Sequence, residues 1–347
     1  MTPAASGSSQ SSAKRICSLL PSATEIVAAL GCLEQLVGRS AECDFPPSVA
    51  GLPIVTSARI VTADLDSAAI DGAVRAALAE GRSLYAVDGD LIAGLAPDLI
   101  LTQDLCQVCA VSSSDESVCA IGIETLALDA HSIVGIEESV LELGARLEVN
   151  AHARAVVDAM ELAIRETSAR VGDLPRRRVF VCEWLDPPFA AGHWVPEMVA
   201  AAGGVDVLGQ AAQPSFPTSW ETVRRLEPEL VVLAPCGFDA ERTASEAPRA
   251  AIPDLGCPVV AVDANAYYSR PAPRVASGVR QLAHLFHPDA VPDPGLPYVE
   301  LSRSRPQSIA KVDRSGAETA LVQKLEVGAA AAFRKRALAA PDEDRDE

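Results

Sequence analysis

The chain has 347 residues, of which 49% are hydrophobic, 22% charged and 4% aromatic. This length predicts two domains of ordinary size, and the hydrophobic share is enough for a sizeable buried core. The net charge of -18 argues against a general binder of nucleic acid or of an anionic membrane surface. No apolar run reaches the roughly 18 residues that a membrane-spanning helix needs.

The N-terminal residues and the cysteines bear on the cellular compartment. Residues 1–12 are rich in Ser, Ala and Gly and lack the apolar segment of a secretory signal. The nine cysteines are scattered over apparent strands and helices, which suits a reducing compartment better than a disulfide framework. We therefore expect a disordered N-terminus over residues 1–13 and a cytoplasmic protein, with a periplasmic or organellar location as the alternative.

Strands and helices alternate along a first lobe, which we place at residues 14–133. Apolar runs and turn residues predict strands near 14–20, 36–38, 54–55, 97–102 and 124–128, and helices near 22–30, 70–79, 91–95 and 118–121. Such alternation is typical of a mostly parallel sheet with helices on both faces.

The pattern changes between residues 136 and 171. Helical spacing persists there without proline, and glycine occurs only as Gly144 near the start and Gly172 just past the end. A helix of thirty-odd residues spans about 50 Å at 1.5 Å per residue. Because such a helix is too long for a crossover within one small lobe, we expect residues 134–172 to form a single connecting helix between two lobes.

The alternation resumes in a second lobe, placed at residues 173–290. Strands are predicted near 178–182, 228–234 and 259–262, with helices near 196–202, 220–226 and 275–285. The run Pro228-Glu229-Leu230 mirrors Pro97-Asp98-Leu99 ahead of an apolar strand, which indicates that the two lobes are related units. Residues 291–347 are expected to be an extension, partly helical and acidic at its end.

The most informative loop follows the predicted strand near 178–182. Two of the three tryptophans lie there, with Phe189 between them and Pro187 and Pro188 ending the strand. In an open α/β sheet, ligands bind at the carboxyl ends of the strands. The alternative is that these aromatic side chains fill a core beneath the loop, although the interleaved Asp186 and His193 favour a binding surface.

Six motifs occur in the order seen in a known family. They are Leu20-Pro21-Ser22-Ala23-Thr24-Glu25, Cys43-Asp44-Phe45-Pro46-Pro47, Ala96-Pro97-Asp98-Leu99-Ile100, Asp186-Pro187-Pro188-Phe189-Ala190-Ala191-Gly192, Ala202-Gly203-Gly204 and Pro273-Arg274. From about Arg15 to His287 the chain resembles the vitamin B12 substrate-binding proteins of ABC importers. The resemblance implies the class III substrate-binding fold: two Rossmann-like α/β lobes with mostly parallel sheets, joined by one long α-helix, with a corrinoid in the cleft between them.

The resemblance also implies which residues contact the ligand and a partner. It points to aromatic and polar side chains from loops of both lobes, to which we add the loop residues His193, Trp194 and Phe238. The expected ligand-binding residues are Asp44, Phe45, Asp104, Cys106, Trp184, Phe189, His193, Trp194, Phe238, Asn265, Tyr267, Tyr268 and Arg270. Glu25 and Glu197 match the exposed glutamates that meet arginines of the importer's membrane subunit, a possible partner of this chain.

Two features depart from that family. Cys106 and Cys109 have C-x-x-C spacing, which leaves open reduced cysteines at the cleft mouth, a redox pair or a metal site. His193 could bind cobalt or haem iron as a neutral imidazole, or simply hydrogen-bond within its loop. The other four histidines are expected at the surface or at helix ends.

Three functions therefore stay open. The first is a monomeric protein without catalytic turnover that binds a corrinoid, namely cobalamin, in the inter-lobe cleft; in the cytoplasm it would act as a carrier, store or sensor. The second is a thiol- or metal-dependent enzyme that uses Cys106, Cys109, His193 and Cys236. The third is a binder of haem or of an iron siderophore on the same scaffold.

Overall fold

The computed structural model describes residues 14–105, 108 and 110–301. The first lobe is built on a four-stranded parallel sheet of β1 (Ile16–Ser18), β2 (Leu36–Arg39), β5 (Leu99–Thr102) and β6 (Thr125–Ala127), in the order β2-β1-β5-β6. A separate antiparallel pair consists of β3 (Thr56–Ala58) and β4 (Tyr85–Val87). The central strands β1 and β5 are buried throughout, as apolar runs in a covered parallel sheet predict.

The described residues of this lobe also form four α-helices before the connection: α1 (Pro21–Ala29), α2 (Ser67–Ala79), α3 (Gly89–Leu95) and α4 (Glu116–Ile121). Side-chain oxygens cap two of them, since Asp66 accepts from Ala69 N and Asp88 accepts from Leu91 N. Helix α1 follows β1 directly, so its first turn lies at the carboxyl edge of the sheet.

The connection between the lobes is two helices, α5 (Ile133–Arg146) and α6 (Asn150–Val171), and not the single helix expected over residues 134–172. The chain breaks at Glu148, whose φ is 60°. Helix α5 packs against α6, and a Cβ on Gly144 would overlap the Cβ of Ala153. The tight packing at Gly144 therefore favours a turn where the local sequence favours continued helix.

Helix α6 is the element that holds the lobes together. Its first half contributes Ala153 and Val157 to the apolar core of the first lobe. Its second half contributes Met160 and Val171 to the core of the second lobe. At 22 residues it spans about 33 Å, so one rigid helix is anchored in both cores.

The second lobe has a seven-stranded sheet. Strands β7 (Arg177–Leu185), β11 (Leu230–Leu233) and β12 (Val259–Val262) are parallel neighbours at its centre, and β9 (Gly204–Asp206) runs parallel to the start of β7. Strands β8 (Pro188–Ala190), β10 (Phe216–Pro217) and β13 (Tyr298–Leu301) are antiparallel to their neighbours. The helices are α7 (Val195–Ala201), α8 (Trp220–Arg225), α9 (Ala240–Glu246), α10 (Ala264–Tyr267) and α11 (Val275–Phe286).

Strand β13 changes the expected domain boundary. It pairs with β12 from Leu301 to Tyr298, so the second lobe continues past residue 290 to at least residue 301. The proposed disordered segment 1–13 and the rest of the proposed extension, residues 302–347, lie outside the described part of the chain. Among the described helices, none has the length and apolar character needed to cross a bilayer.

Candidate ligand-binding cleft

The strand-end loops of the two lobes face each other. In the first lobe they follow β1, β2, β5 and β6, and in the second lobe they follow β7, β11 and β12. Side chains at these strand ends make direct contacts between the lobes. The carboxyl ends of parallel strands are where open α/β sheets bind ligands, so the space between the lobes is the candidate site.

A buried ion-pair network crosses between the lobes on one side. Arg270 donates to Glu25 Oε1 at 2.9 Å, to Asp44 Oδ1 at 2.5 Å and to Asn265 Oδ1 at 2.9 Å. Arg274 donates to Glu25 Oε2 at 2.8 Å and to Oε1 at 2.6 Å. Two guanidinium groups of the second lobe are thus matched by two carboxylates of the first.

Asp44 and Phe45 form the outer layer of this network. Asp44 also accepts from Asn265 Nδ2 at 3.1 Å, and its side chain is 57% exposed. Burial opposes its ionisation, but the hydrogen bond and charge of Arg270 hold the pKa of Asp44 below its ordinary value. The half-buried Phe45 ring lies 3.9 Å from the Arg274 guanidinium carbon, a cation–π contact.

Aromatic side chains make the second set of contacts between the lobes. Trp184 Nε1 donates to the backbone oxygen of Ser67 in the first lobe at 3.1 Å. The Trp184 ring meets Phe238 edge-on at 5.4 Å, and Arg242 lies 3.8 Å above Phe238. Arg242 also donates to the backbone oxygen of Thr62 at 3.0 Å. Trp184 keeps part of its surface exposed.

Two histidines meet where α5 and α7 begin. His131 of the first lobe and His193 of the second have ring centroids 5.4 Å apart. Burial lowers the pKa of His193, and the neighbouring His131 lowers it further. Nearby, Glu197 Oε2 accepts from the backbone N of Ile133 at 2.6 Å, which ties α7 to the first turn of α5.

Asp104 organises the loop after β5. Its carboxylate accepts from Ser112 Oγ at 2.7 Å and from Ser113 N and Oγ at 2.9 and 2.5 Å. Burial opposes ionisation of Asp104, but these hydrogen bonds hold its pKa below the ordinary value. The carboxylate thus stabilises the conformation of its own loop. Cys106 and Cys109 of the same loop lie outside the described residues; within those described, no group of three or more possible metal ligands forms.

Glu183 has the most displaced carboxyl pKa near the cleft. It lies at the end of β7, partly buried, and accepts from the backbone N of Gly192 at 3.1 Å. Burial raises its pKa from 4.5 to about 8, so the group is mostly uncharged at neutral pH. Burial likewise raises the pKa of Asp206 and of Asp263 to about 6.

The Glu183 shift gives a pH prediction. Between about pH 4.5 and pH 8 the folded protein keeps a proton that the unfolded chain has lost, so this group makes the protein less stable as pH rises. In the variant Glu183→Gln this side chain does not titrate, so the variant should lack the fall in stability that Glu183 causes between about pH 4.5 and pH 8. Denaturant unfolding at several pH values measures it: the advantage of the variant over the wild type should grow with pH, and a constant difference would contradict the assignment.

Residues 16–249 match the family model described as periplasmic binding protein. The chain belongs to this family. An ABC transporter substrate-binding protein from Listeria monocytogenes has 16% identity and a TM-score of 0.61, with 80% of this chain and 99% of that chain covered. No curated protein matches the sequence.

Two further solved structures have ligands in their names. A periplasmic haem-binding protein from Pseudomonas aeruginosa has 19% identity and a TM-score of 0.63, over 84% of this chain and 99% of that chain. The periplasmic vitamin B12-binding protein of Vibrio cholerae has 20% identity and a TM-score of 0.56, over 79% and 96%. At these identities the similarity establishes the fold, which is the two-lobed α/β fold that the sequence predicts.

Membership of the periplasmic binding protein family bears on the broader alternatives. Because the family is one of binding proteins, it supports a binding protein over the thiol- or metal-dependent enzyme. The family's periplasmic description does not support the cytoplasmic location expected from the sequence, and it agrees with the periplasmic alternative. The resemblance seen in the sequence is confirmed at the level of the periplasmic binding protein family.

Several aromatic residues expected at the ligand lie in the core instead. Trp194 is buried and donates from Nε1 to the backbone oxygen of Tyr268 at 2.8 Å. Tyr268 is buried and donates to Gln281 at 2.8 Å, and Tyr267 belongs to the same apolar cluster. Phe238 is buried beneath Trp184 and Arg242. The polar groups of Trp194 and Tyr268 thus bond within the lobe, and contact of these buried residues with a ligand stays a prediction.

Glu25 is also placed differently from the expectation. Its side chain is 2% exposed and bonded to two arginines, so an exposed Glu25 that meets an importer is wrong. The sequence places Glu25 at the start of a helix but does not show that the second lobe covers it. Glu197 is half-buried and capping α5, and its contact with a partner stays a prediction.

Five cleft residues were not predicted from the sequence. Arg274, Arg242, Thr62 and Ser67 contact the opposite lobe, and His131 meets His193. Only Arg274 had a signal, the Pro273-Arg274 motif. The other four lie in segments without a recognisable motif. His131 was expected at the surface, and it is exposed in the structure.

Proposed function

We propose that this chain is a binding protein for a corrinoid, cobalamin, which it holds between its two lobes. The observation that carries the proposal is the composition of the facing loops. Partly buried aromatic residues lie on both sides, Phe45 on the first lobe and Trp184 and Phe189 on the second. Asp44 and Asn265 interleave with them and contact each other across the lobes.

A corrin suits this composition. It is a broad flat macrocycle, so its faces favour aromatic side chains, each of which buries roughly 150–250 Å². Its neutral amide arms both donate and accept hydrogen bonds, which suits Asp44, Asn265 and Arg270. Binding sites of this kind are mostly apolar with a few polar anchors. Asp104, on the loop after β5, and Phe189, in the short strand β8, complete the proposed contact surface.

The charge balance favours a neutral ligand over haem. The carboxylates of Glu25 and Asp44 already match the guanidinium groups of Arg270 and Arg274. An acidic ligand such as haem, with two propionates, would have to compete with these carboxylates. The structural neighbours include binders of each kind, so the charge argument is what selects the corrinoid.

The proposal extends to transport. A chain of the periplasmic binding protein family that carries cobalamin would deliver it to the membrane subunits of an ABC importer. Glu197 is the remaining candidate for that contact. Because α6 fixes the lobes, we propose that the ligand enters by small movements of the loops around Asp44 and Trp184 and not by a wide closure.

A spectral titration tests the ligand. Cobalamin added to the purified chain should give a saturable absorbance shift and stay with the protein on gel filtration. Trp184→Ala should weaken the affinity by about tenfold or more, because a central aromatic contact is lost. Trp220→Phe is the matched control, since Trp220 packs on Phe180 away from the facing loops. Saturable binding of haem without binding of cobalamin would refute the proposal.

A further inference from the structure

The histidine pair at the junction of the lobes is not among the proposed corrinoid contacts. His131 follows β6 in the first lobe and directly precedes α5, and His193 lies between β8 and α7 in the second lobe. Their ring centroids are 5.4 Å apart and their planes are inclined by 48°. One side chain comes from each lobe, so the pair exists only when the lobes are docked.

His193 is held in an unusual way. Its φ is 50°, in the left-handed region that non-glycine residues rarely adopt. Its backbone N donates to Gln213 O at 2.7 Å, and its backbone O accepts from Ala212 N at 2.9 Å. The Trp194 ring stacks at 5.8 Å with planes inclined by 29°. Strained backbone fixed by surrounding contacts is concentrated at functional sites.

The ring of His193 also has an unsatisfied nitrogen. Its Nδ1 is buried and makes no hydrogen bond to any described residue. A buried polar atom without a partner costs about 1–3 kcal/mol. The fold therefore maintains, in one residue, both an unfavourable backbone conformation and an unpaired ring nitrogen, next to a second imidazole.

The separation of the two rings fits a shared metal ion. A metal–nitrogen bond of about 2.0–2.1 Å places an imidazole centroid about 3.2 Å from the ion, and two such rings at a tetrahedral angle have centroids about 5.2 Å apart. The distance in the structure is 5.4 Å. Imidazole is a preferred ligand of nickel, copper and zinc ions.

We propose that His131 and His193 together bind one divalent transition-metal ion of the nickel–copper–zinc class between the lobes. The described residues supply no third ligand to it, so the remaining coordination positions are open to water or to a molecule in the cleft. An ion held by one side chain from each lobe stabilises the docked arrangement. The site does not depend on cobalamin and is tested without it.

Zinc titration followed by calorimetry is the test. The starting protein carries Cys106→Ser and Cys109→Ser, so that the C-x-x-C thiols do not account for the signal. It should bind one Zn²⁺ per chain. Loss of a residue that only hydrogen-bonds to a metal ligand lowers metal affinity by about 10–100-fold. Loss of a ligand itself should be at least as severe, so His131→Gln or His193→Asn should weaken zinc binding by about 100-fold. Asparagine is chosen because it tolerates the left-handed backbone at position 193.

The exposed His152 provides the control, and His152→Gln should bind zinc like the starting protein. Circular dichroism and thermal melting check that each variant is folded, and His131→Gln alone is decisive if the other variant is not. The proposal is overturned if the starting protein binds no zinc saturably or if zinc binds equally well without either histidine. A chain that binds zinc in this manner but not cobalamin refutes the corrinoid proposal alone.

Discussion

Replacing Glu25 with glutamine is expected to lower the free energy of unfolding by about 3 kcal/mol. The carboxylate is buried and bonds both Arg270 and Arg274, whose side chains are 7% and 12% exposed. The variant keeps the shape of the side chain but leaves two positive charges buried in the junction of the lobes with one carboxylate, Asp44. Removal of one partner from a buried ion pair costs about 3–5 kcal/mol because the remaining charge is uncompensated.

Denaturant unfolding measures this loss, and Glu221→Gln is the matched control. Glu221 also pairs with two arginines, Arg224 and Arg225, but all three side chains are about half exposed or more. Exposed ion pairs contribute little to stability because solvent screens them, so the control should be nearly neutral. Equal effects of the two substitutions would show that Glu25 is solvated and that the lobes do not bury it.

Replacing Gly192 with alanine is expected to cost about 3 kcal/mol and to displace the neighbouring His193. A Cβ at this position would overlap Ser215 N, Gln213 O and Pro214 C, all of which are backbone atoms. These atoms belong to a segment that pairs with residues 191–193, so neither side can move without loss of hydrogen bonds. The backbone N of Gly192 also donates to the Glu183 carboxyl group, which holds Gly192 against the end of β7.

Gly94→Ala is the control for this substitution. Gly94 lies inside α3, and a Cβ there meets nothing within 4 Å. Alanine should stabilise the helix by about 0.5–1 kcal/mol, which gives a change of opposite sign. Thermal and denaturant unfolding of the two variants compare them directly. A Gly192→Ala protein as stable as the wild type would mean that the segment at residues 213–215 is not packed on Gly192.

The architecture was predictable because it depends on local patterns. Apolar runs such as Leu99–Thr102 and Leu230–Leu233 mark buried parallel strands, and the alternation with helices selects an α/β fold. The break at Glu148 was not predictable, because neither proline nor glycine marks it. It depends on the contact of Gly144 with Ala153, which only the packed structure contains.

The site was harder to predict because its contacts are distant in the chain. Arg270 and Arg274 lie 245 and 249 residues from Glu25, and only the docking of the lobes brings them together. The two tryptophans of one loop show a second limit. Trp184 reaches the other lobe while Trp194, at the start of α7, turns into the core. Composition identifies an aromatic-rich loop, but strand register and helix position decide which rings face the cleft.

The placement of α6 has a consequence for how the molecule folds. The same helix supplies Ala153 to one apolar core and Met160 to the other. Neither half of the chain retains a complete core if the sequence is cut within this helix. We therefore expect the lobes to unfold as a single cooperative unit, to which the pairing of Arg270 and Arg274 with Glu25 also contributes.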